Sequence, residues 1–194
     1  MSLRQLALEN LTCVRGDRLL FKGLELRLEA GGAVLVRGAN GAGKSSLLRV
    51  IAGLLKPYSG SVRASGRIAL ADEYLALDRQ ILLGRALSFW AQLDGRGQSA
   101  INGAMEAMQL THLAAVPVRM LSTGQRKRAT IARVIASQGD IWLLDEPANG
   151  LDPASVALLD AAMAAHRAKG GIVVAASHQA LGLDTPQLVE IGTS

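Results

Sequence analysis

A chain of 194 residues with a formal charge of +5, 49% apolar and 19% charged side chains is long enough for one domain with a real core and too apolar for a disordered segment. Its single cysteine, Cys13, excludes an internal disulfide and suits a reducing compartment, where it reads as a small filler on an apolar strand. No apolar run approaches the roughly 18 residues that cross a bilayer and no secretory leader opens the chain, so the expectation is a soluble protein or one held at a membrane by a partner.

Residues 3–30 read as β structure. Leu6, Leu8 and Leu11 suggest a first strand and Gly16-Asp17 a turn; Leu24, Leu26 and Leu28 then alternate with Glu25, Arg27 and Glu29 at the period of a half-buried strand. Gly31-Gly32 ends this antiparallel section. The apolar run Ala33-Val34-Leu35-Val36 leads into Gly38-Ala39-Asn40-Gly41-Ala42-Gly43-Lys44-Ser45-Ser46, and a helix-patterned run from Leu47 to Leu55 leads out. Strand, glycine-rich loop and helix in this order, with Gly38, Gly43, Lys44 and Ser45 meeting G-x-x-x-x-G-K-[ST], mark a phosphate loop. Glycines let backbone N–H groups turn inward onto phosphate oxygens, and the helix start favours an anion. Lys44 reaches the β- and γ-phosphates, and the Ser45 hydroxyl is placed for Mg²⁺.

Leu47, Leu48, Ile51, Leu54 and Leu55 fall on one helical face that Pro57-Tyr58-Ser59-Gly60 breaks. Short strands are expected at Ser61–Arg63 and Arg67–Ala71. Residues 74–120 change character: Ile81–Leu93 and Ser99–Leu110 read as helices separated by Asp94-Gly95-Arg96-Gly97, a helical insertion into an α/β body.

The α/β pattern resumes with Ile141-Trp142-Leu143-Leu144-Asp145-Glu146, four apolar residues ending in two carboxylates. A buried parallel strand delivers side chains at its carboxyl end, where such sheets bind ligands. Asp145 is expected to hold Mg²⁺ and Glu146 to orient or deprotonate an attacking water. Ahead of it, Leu121-Ser122-Thr123-Gly124-Gln125 precedes a helix expected from about Arg126 to Ser137. Ser122 and Gly124 then lie at a second helix N-terminus, as an anion site or as plain capping by Ser122 or Thr123. A helix over 155–168, Gly170-Gly171 and a strand over Ile172–Ala176 complete the chain. His112 and His166 have no motif around them and are expected to face solvent.

These pieces resemble the nucleotide-binding domain of the ATP-binding-cassette family over nearly the whole chain. They are the phosphate loop, the signature at 121–125, the acidic strand at 141–146, Asn149-Gly150-Leu151-Asp152, and His178 after the last strand. The resemblance implies one α/β domain over 1–194: a P-loop NTPase core with a parallel sheet, an N-terminal antiparallel β section and a helical subdomain at about 74–125, inserted between 1–73 and 126–194. It implies ATP and Mg²⁺ as cofactors, ATP hydrolysis, and head-to-tail pairing of two copies. Ser122, Thr123, Gly124, Gln125 and Asp152 of one copy would then face nucleotide held by the phosphate loop of the other, with His178 at the γ-phosphate. Two positions depart from the family. Where an aromatic residue stacks on adenine this chain has Arg15, whose guanidinium plane can stack by cation–π contact. Where a glutamine closes the strand ending at Ala71 the best match is Glu73, which can still bind Mg²⁺, and Gln80 aligns poorly.

Within the family the likeness extends to the branch that serves cytochrome c maturation, the haem-exporter ATPases. It rests on Gly16-Asp17-Arg18-Leu19-Leu20-Phe21, on Val116-Pro117-Val118 and on Lys169–Val174 leading into Ser177-His178-Gln179-Ala180-Leu181. That implies a peripheral subunit on the cytoplasmic face of the bacterial inner membrane, energising integral membrane subunits in haem export or in release of a haem-loaded chaperone. A small exporter ATPase for lipids or drugs is the alternative. A DNA-mechanics ATPase shares the phosphate loop and signature, and the basic charge leans that way. Sustained heptads are absent, however, and only Arg126-Lys127-Arg128 cluster, so no nucleic-acid partner is expected.

Overall fold

The computed structural model describes residues 4–72 and 76–192. Two sheets share the molecule. Strands β1 (Gln5–Arg15), β2 (Arg18–Glu29) and β4 (Ser59–Ser65) form an antiparallel sheet in the order β2-β1-β4. Strands β3 (Ala33–Arg37), β5 (Ile68–Ala71), β6 (Ile141–Asp145), β7 (Ile172–Ala176) and β8 (Gln187–Glu190) form a parallel one in the order β5-β6-β7-β3-β8.

Strands β3, β6 and β7 are short apolar runs because both faces of the parallel sheet are covered, and alternate residues enter separate cores. Ala33, Leu35, Trp142, Leu144, Val173 and Ala175 point to one side, where helices α2 (Leu83–Leu93), α3 (Gln98–Ala107), α4 (Thr123–Ser137) and α5 (Pro153–Ala168) pack. Val34, Val36, Ile141, Leu143, Ile172 and Val174 point to the other, against helix α1 (Lys44–Ile51) and the antiparallel sheet. Burying each valine, leucine and isoleucine among them contributes roughly 1.5–3 kcal/mol, enough to hold strand ends in fixed register.

The expected helix beyond the phosphate loop runs shorter than its apolar pattern. Gly53 takes a left-handed φ of 74°, its amide donating to Val50 O and that of Leu54 to Arg49 O, which closes α1 at Ile51. Leu54 is therefore off the helical face and 70% exposed, while Leu55 still packs on the core. The signature helix starts three residues before the expected Arg126, because Ser122 is its N-cap.

His166 also departs from expectation. Its ring stacks on Trp142 of β6, centroids 4.0 Å apart and planes 9° from parallel. Burial pulls its pKa down to about 4, against the opposing effect of nearby Ile172 and Asp140 backbone groups. The reason is geometric: α5 packs on the sheet face where Trp142 points, and helical period alone does not tell which side chain lands on that ring. His112 is exposed, as expected. Arg133 of α4 joins the helices to the sheet, bonding Leu70 O and lying 5.1 Å from the centroid of Trp90, with burial lowering its pKa. At the opposite end of β6, Arg4 pairs with Asp140 at 2.7 Å. Burial works against the Asp140 charge, but the Arg67 amide and the Arg4 guanidinium outweigh it and hold the carboxyl below its ordinary range. Among the described residues no helix is long and apolar enough to cross a membrane.

Candidate active site

Strands β6, β7 and β3 are neighbours, and Ala176 lies in register with both Asp145 and Val36. The acidic pair, His178 and the phosphate loop therefore leave the sheet from three adjacent carboxyl ends, the usual position for a ligand in an open α/β sheet. They enclose a cleft of about 620 Å³, whose far wall is the β1–β2 hairpin.

Gly43 is the turning point of the loop. It has φ 110°, and a β-carbon there would come within 2.9 Å of Leu20 Cβ, so only glycine fits. It is also the N-cap of α1 and supplies no side-chain cap, which leaves the first-turn amides to whatever enters the cleft. Lys44, 7% exposed, folds back over the loop. Its Nζ donates to Gly38 O at 2.9 Å and to Ala39 O at 3.5 Å and lies 3.4 Å from Glu146 Oε1. The other oxygen of the same carboxylate is 2.9 Å from His178 Nδ1. One carboxylate thus joins the loop lysine to the histidine.

Glu146 sits at φ 43°, in the left-handed region that a side chain rarely occupies, at a cost of about 1–3 kcal/mol. Its amide donates to Ala176 O at 2.8 Å, and its carbonyl accepts from Asn149 N at 3.2 Å. These bonds turn the chain off the end of β6 so that consecutive residues Asp145 and Glu146 both line the cleft. Asp145 is buried, and its carbonyl accepts from Lys127 Nζ of α4 at 3.3 Å, a direct link from the signature helix to the acidic pair.

Ser45 and Asp145 line the same cleft and offer the hard oxygen donors that Mg²⁺ takes. No cluster of three or more metal-ligating side chains occurs among the described residues; a Mg²⁺ held mainly by phosphate oxygens and one or two protein groups needs none. The donor set fits.

Arg15 lines the cleft, as do Ala39, Asn40, Gly41 and Ser46 of the loop, whereas Ala42 is buried beneath it. Glu73 lies outside the described residues. Its neighbour Asp72 pairs with Arg49 of α1 at 3.7 Å, and Gln80 is engaged with Arg119 away from the cleft wall.

The signature residues stand apart. Ser122, Thr123, Gly124 and Gln125 do not line this cleft. Ser122 Oγ accepts from Gln125 N at 3.2 Å while Gln125 Oε1 accepts from Ser122 N at 2.8 Å, a capping box. Asp152 likewise caps α5, accepting from Ser155 N at 2.7 Å; the Ser155 side chain and amide, with a smaller effect from Arg128, hold its carboxyl below the ordinary value. Asn149 bridges the two regions, lining both the cleft and a smaller pocket beside Thr123.

Sequence reasoning missed Arg18, Leu20, Arg49 and Asn149 as cleft-lining residues. For Arg18 and Leu20 a signal existed: across the two-residue turn Gly16-Asp17, Arg18 must sit opposite Arg15, and directly opposed strand residues share a face.

The pattern of the family described as ABC transporter matches residues 21–149. A Sphingopyxis alaskensis protein named cytochrome c biogenesis ATP-binding export protein CcmA is 58% identical over 186 residues, covering 96% of this chain and 95% of that protein. A Zymomonas mobilis protein of the same name is 58% identical over 179 residues, 92% of this chain and 80% of that protein. Among solved structures, an ATP-binding subunit of an ABC transporter superposes with a TM-score of 0.80 at 22% identity, over 89% of this chain and 79% of that one. A Pyrococcus furiosus chain described as a candidate ABC transporter ATP-binding protein gives 0.84 at 23% identity, over 96% and 97%. These two likenesses bear on the fold.

Proposed function

This chain belongs to the ABC transporter family, and on that premise we propose that it is the ATP-binding and hydrolysing subunit of a transporter complex in c-type cytochrome biogenesis, energising haem export or release of a haem-loaded chaperone. The observation that carries the catalytic half of this reading is the meeting of phosphate loop, acidic pair and His178 in one cleft while the signature lies outside it. The names of the relatives carry the cytochrome half.

In this reading the triphosphate displaces Glu146 from Lys44, whose ammonium then faces the β- and γ-phosphates. The amides at the start of α1 hold the phosphate oxygens. Freed, the Glu146 carboxylate orients a water and takes its proton as the new O–P bond forms and the β–γ bridging O–P bond breaks, leaving ADP and phosphate. His178, already 2.9 Å from that carboxylate, fixes it from the far side and reaches the γ-phosphate. Ser45 and Asp145 would hold Mg²⁺, with Glu73 as a further candidate ligand, and the ion would supply charge neutralisation to the phosphates when bound.

The signature is the other half of the site. A second copy, paired head to tail, presents Ser122, Thr123 and Gly124 to the γ-phosphate, with Gln125 and Asp152 at the border. Membrane subunits, CcmB-like with CcmC- and CcmD-like proteins as further candidates, dock in the groove beside residues 72–95 on the cytoplasmic face of the inner membrane, where the chain is peripheral. Closing two ATP sites moves the helices over about 74–125 with them.

The test is co-purification with membrane subunits from cells expressing Glu146→Gln, with cross-links mapped on this chain. Cross-links to residues 72–95 and accumulation of haem or a haem-loaded chaperone are expected. Cross-links confined elsewhere would remove the docking site, and accumulation of a lipid or drug would reassign the cargo.

A further inference from the structure

The peptide between the two carboxylates of the acidic strand is held at both of its polar ends. Its N–H, on Glu146, donates to Ala176 O of β7 at 2.8 Å. Its C=O, on Asp145, accepts from Lys127 Nζ at 3.3 Å. The plane of this peptide sets the φ of Glu146, which is 43°. A residue with a side chain stays in that region only where its surroundings over-determine it. One of the two restraints is the sheet. The other comes from outside the sheet, from α4.

Lys127 stands one turn after Thr123, so the helix that begins with the signature also carries the cation that grips the acidic turn. It is half-buried and does not line the cleft. The chain beyond Glu146 lies against the same end of α4. A β-carbon on Gly124 would meet Gly150 O at 3.5 Å, and one on Gly150 would meet Thr123 Cγ2 at 3.8 Å. Asn149, whose amide donates to Glu146 O, lines the cleft on one side and the pocket beside Thr123 and Lys127 on the other. Signature and acidic pair are thus separate in the cleft but joined behind it. At 3.3 Å the lysine bond is already long, and a displacement of α4 by about 0.5 Å would break it. The peptide would then be free to turn and take Glu146 out of its strained conformation.

We propose that Lys127 is a positioning residue for Glu146. Through Asp145 O it fixes the turn on which the general base stands, so the rate of hydrolysis in a chain's own cleft depends on the placement of its own signature helix. The proposal rests on the reading of Glu146 as the base. In a head-to-tail pair that helix faces the other nucleotide, and the Lys127 contact then carries the state of one site to the base of the other.

The test compares Lys127→Met, which keeps the length of the side chain and loses its donors, with Lys127→Arg, which keeps a charged donor on a long stem. In the full chain assembled with its membrane subunits, Lys127→Met should lower kcat by about 10- to 100-fold, the scale on which a small misplacement of a catalytic group acts. KM for ATP should stay within about twofold, because no contact to nucleotide is removed. Lys127→Arg should recover most of the rate. In the nucleotide-free chain, amide exchange followed by NMR should quicken at Glu146 in Lys127→Met, while Ile131 and Ala132 inside α4 keep their protection. A wild-type kcat in Lys127→Met would overturn the proposal, as would a loss that Lys127→Arg fails to repair or that leaves exchange at Glu146 unchanged. Hydrolysis undiminished in Glu146→Gln, whatever Lys127→Met does, would instead overturn the reading of the base itself.

Discussion

Two helix N-termini in this molecule are built in opposite ways. Helix α1 begins at Gly43 with no side-chain cap, under a cleft walled on several sides. Helix α4 begins at Ser122 with a closed capping box and a half-exposed first turn. A helix start leaves orphan amides that something must satisfy. At α1 they are left for a ligand, and Lys44 is parked meanwhile on Gly38 O and Glu146. At α4 the box uses the amides of Ser122 and Gln125 and leaves those of Thr123 and Gly124 outside it, and neither residue lines the chain's own cleft. The first arrangement is a pocket awaiting a small anion. In the proposed function the second is a surface that acts only when another copy brings an anion to it.

The comparison breaks most sharply on Lys44→Ala. Charge-assisted hydrogen bonds contribute about 1.5–3 kcal/mol each, so losing this cation should weaken ATP binding by about 100-fold or more in the isolated chain. Equilibrium dialysis measures it; retained affinity would mean that the loop amides alone hold the phosphates. Glu146→Gln comes next and separates binding from chemistry. Removing a general base lowers turnover by about 10²–10⁴-fold. ATP affinity should stay or rise, because Glu146 no longer competes for Lys44, and an ATP-bound dimer should accumulate on a sizing column. Normal hydrolysis would remove Glu146 from its role.

The signature half should behave differently. A β-carbon on Gly124 would meet only Gly150 O, at an ordinary 3.5 Å, so Gly124→Asp adds a charge without forcing the backbone. The isolated chain should bind ATP as before, and hydrolysis by the dimer should fall. Mixing Gly124→Asp with Lys44→Ala should restore part of the turnover, because the pair regains one site with a sound loop and a sound signature. No recovery on mixing would mean that each chain completes its own site.

How much of this was readable beforehand follows the same division. The phosphate loop and the acidic pair were legible because backbone geometry dictates residue types at the loop and both follow continuous apolar runs, whereas His178 came only with the family resemblance. The start of α4 was also written in the chain, since Ser122 and Gln125 have capping-box spacing, yet the helix was expected three residues late because apolar periodicity begins only inside it. The end of α1 went wrong in the opposite sense: apolar residues continue to Leu55, and Gly53 stops the helix first. Arg18 was hidden by a different cause, for exposed charges carry no periodic signal and only strand register reveals their neighbours. His166 needed the packing of α5 on β6, which no local pattern encodes.

That histidine supplies the smallest effect and a way to ask which half fails first. Trp142 and His166 belong to the core that carries the signature helix, whereas α1 is in the opposite core. Burial holds the folded His166 pKa at about 4, below the ordinary 6.5. Between those values the unfolded chain binds a proton that the folded chain refuses, so stability rises with pH across that window. It is complete above 6.5 and is lost progressively as pH falls toward 4. Thermal unfolding from pH 4.5 to 7 should therefore show a rising midpoint of about a few degrees, and His166→Gln should flatten the slope. The slope is the reading here, since losing the ring stack lowers the midpoint at every pH. Hydrogen exchange at pH 5 should show α4 and α5 opening before α1. If α1 opens first, the acid-sensitive element is the ligand pocket rather than the partner-facing half.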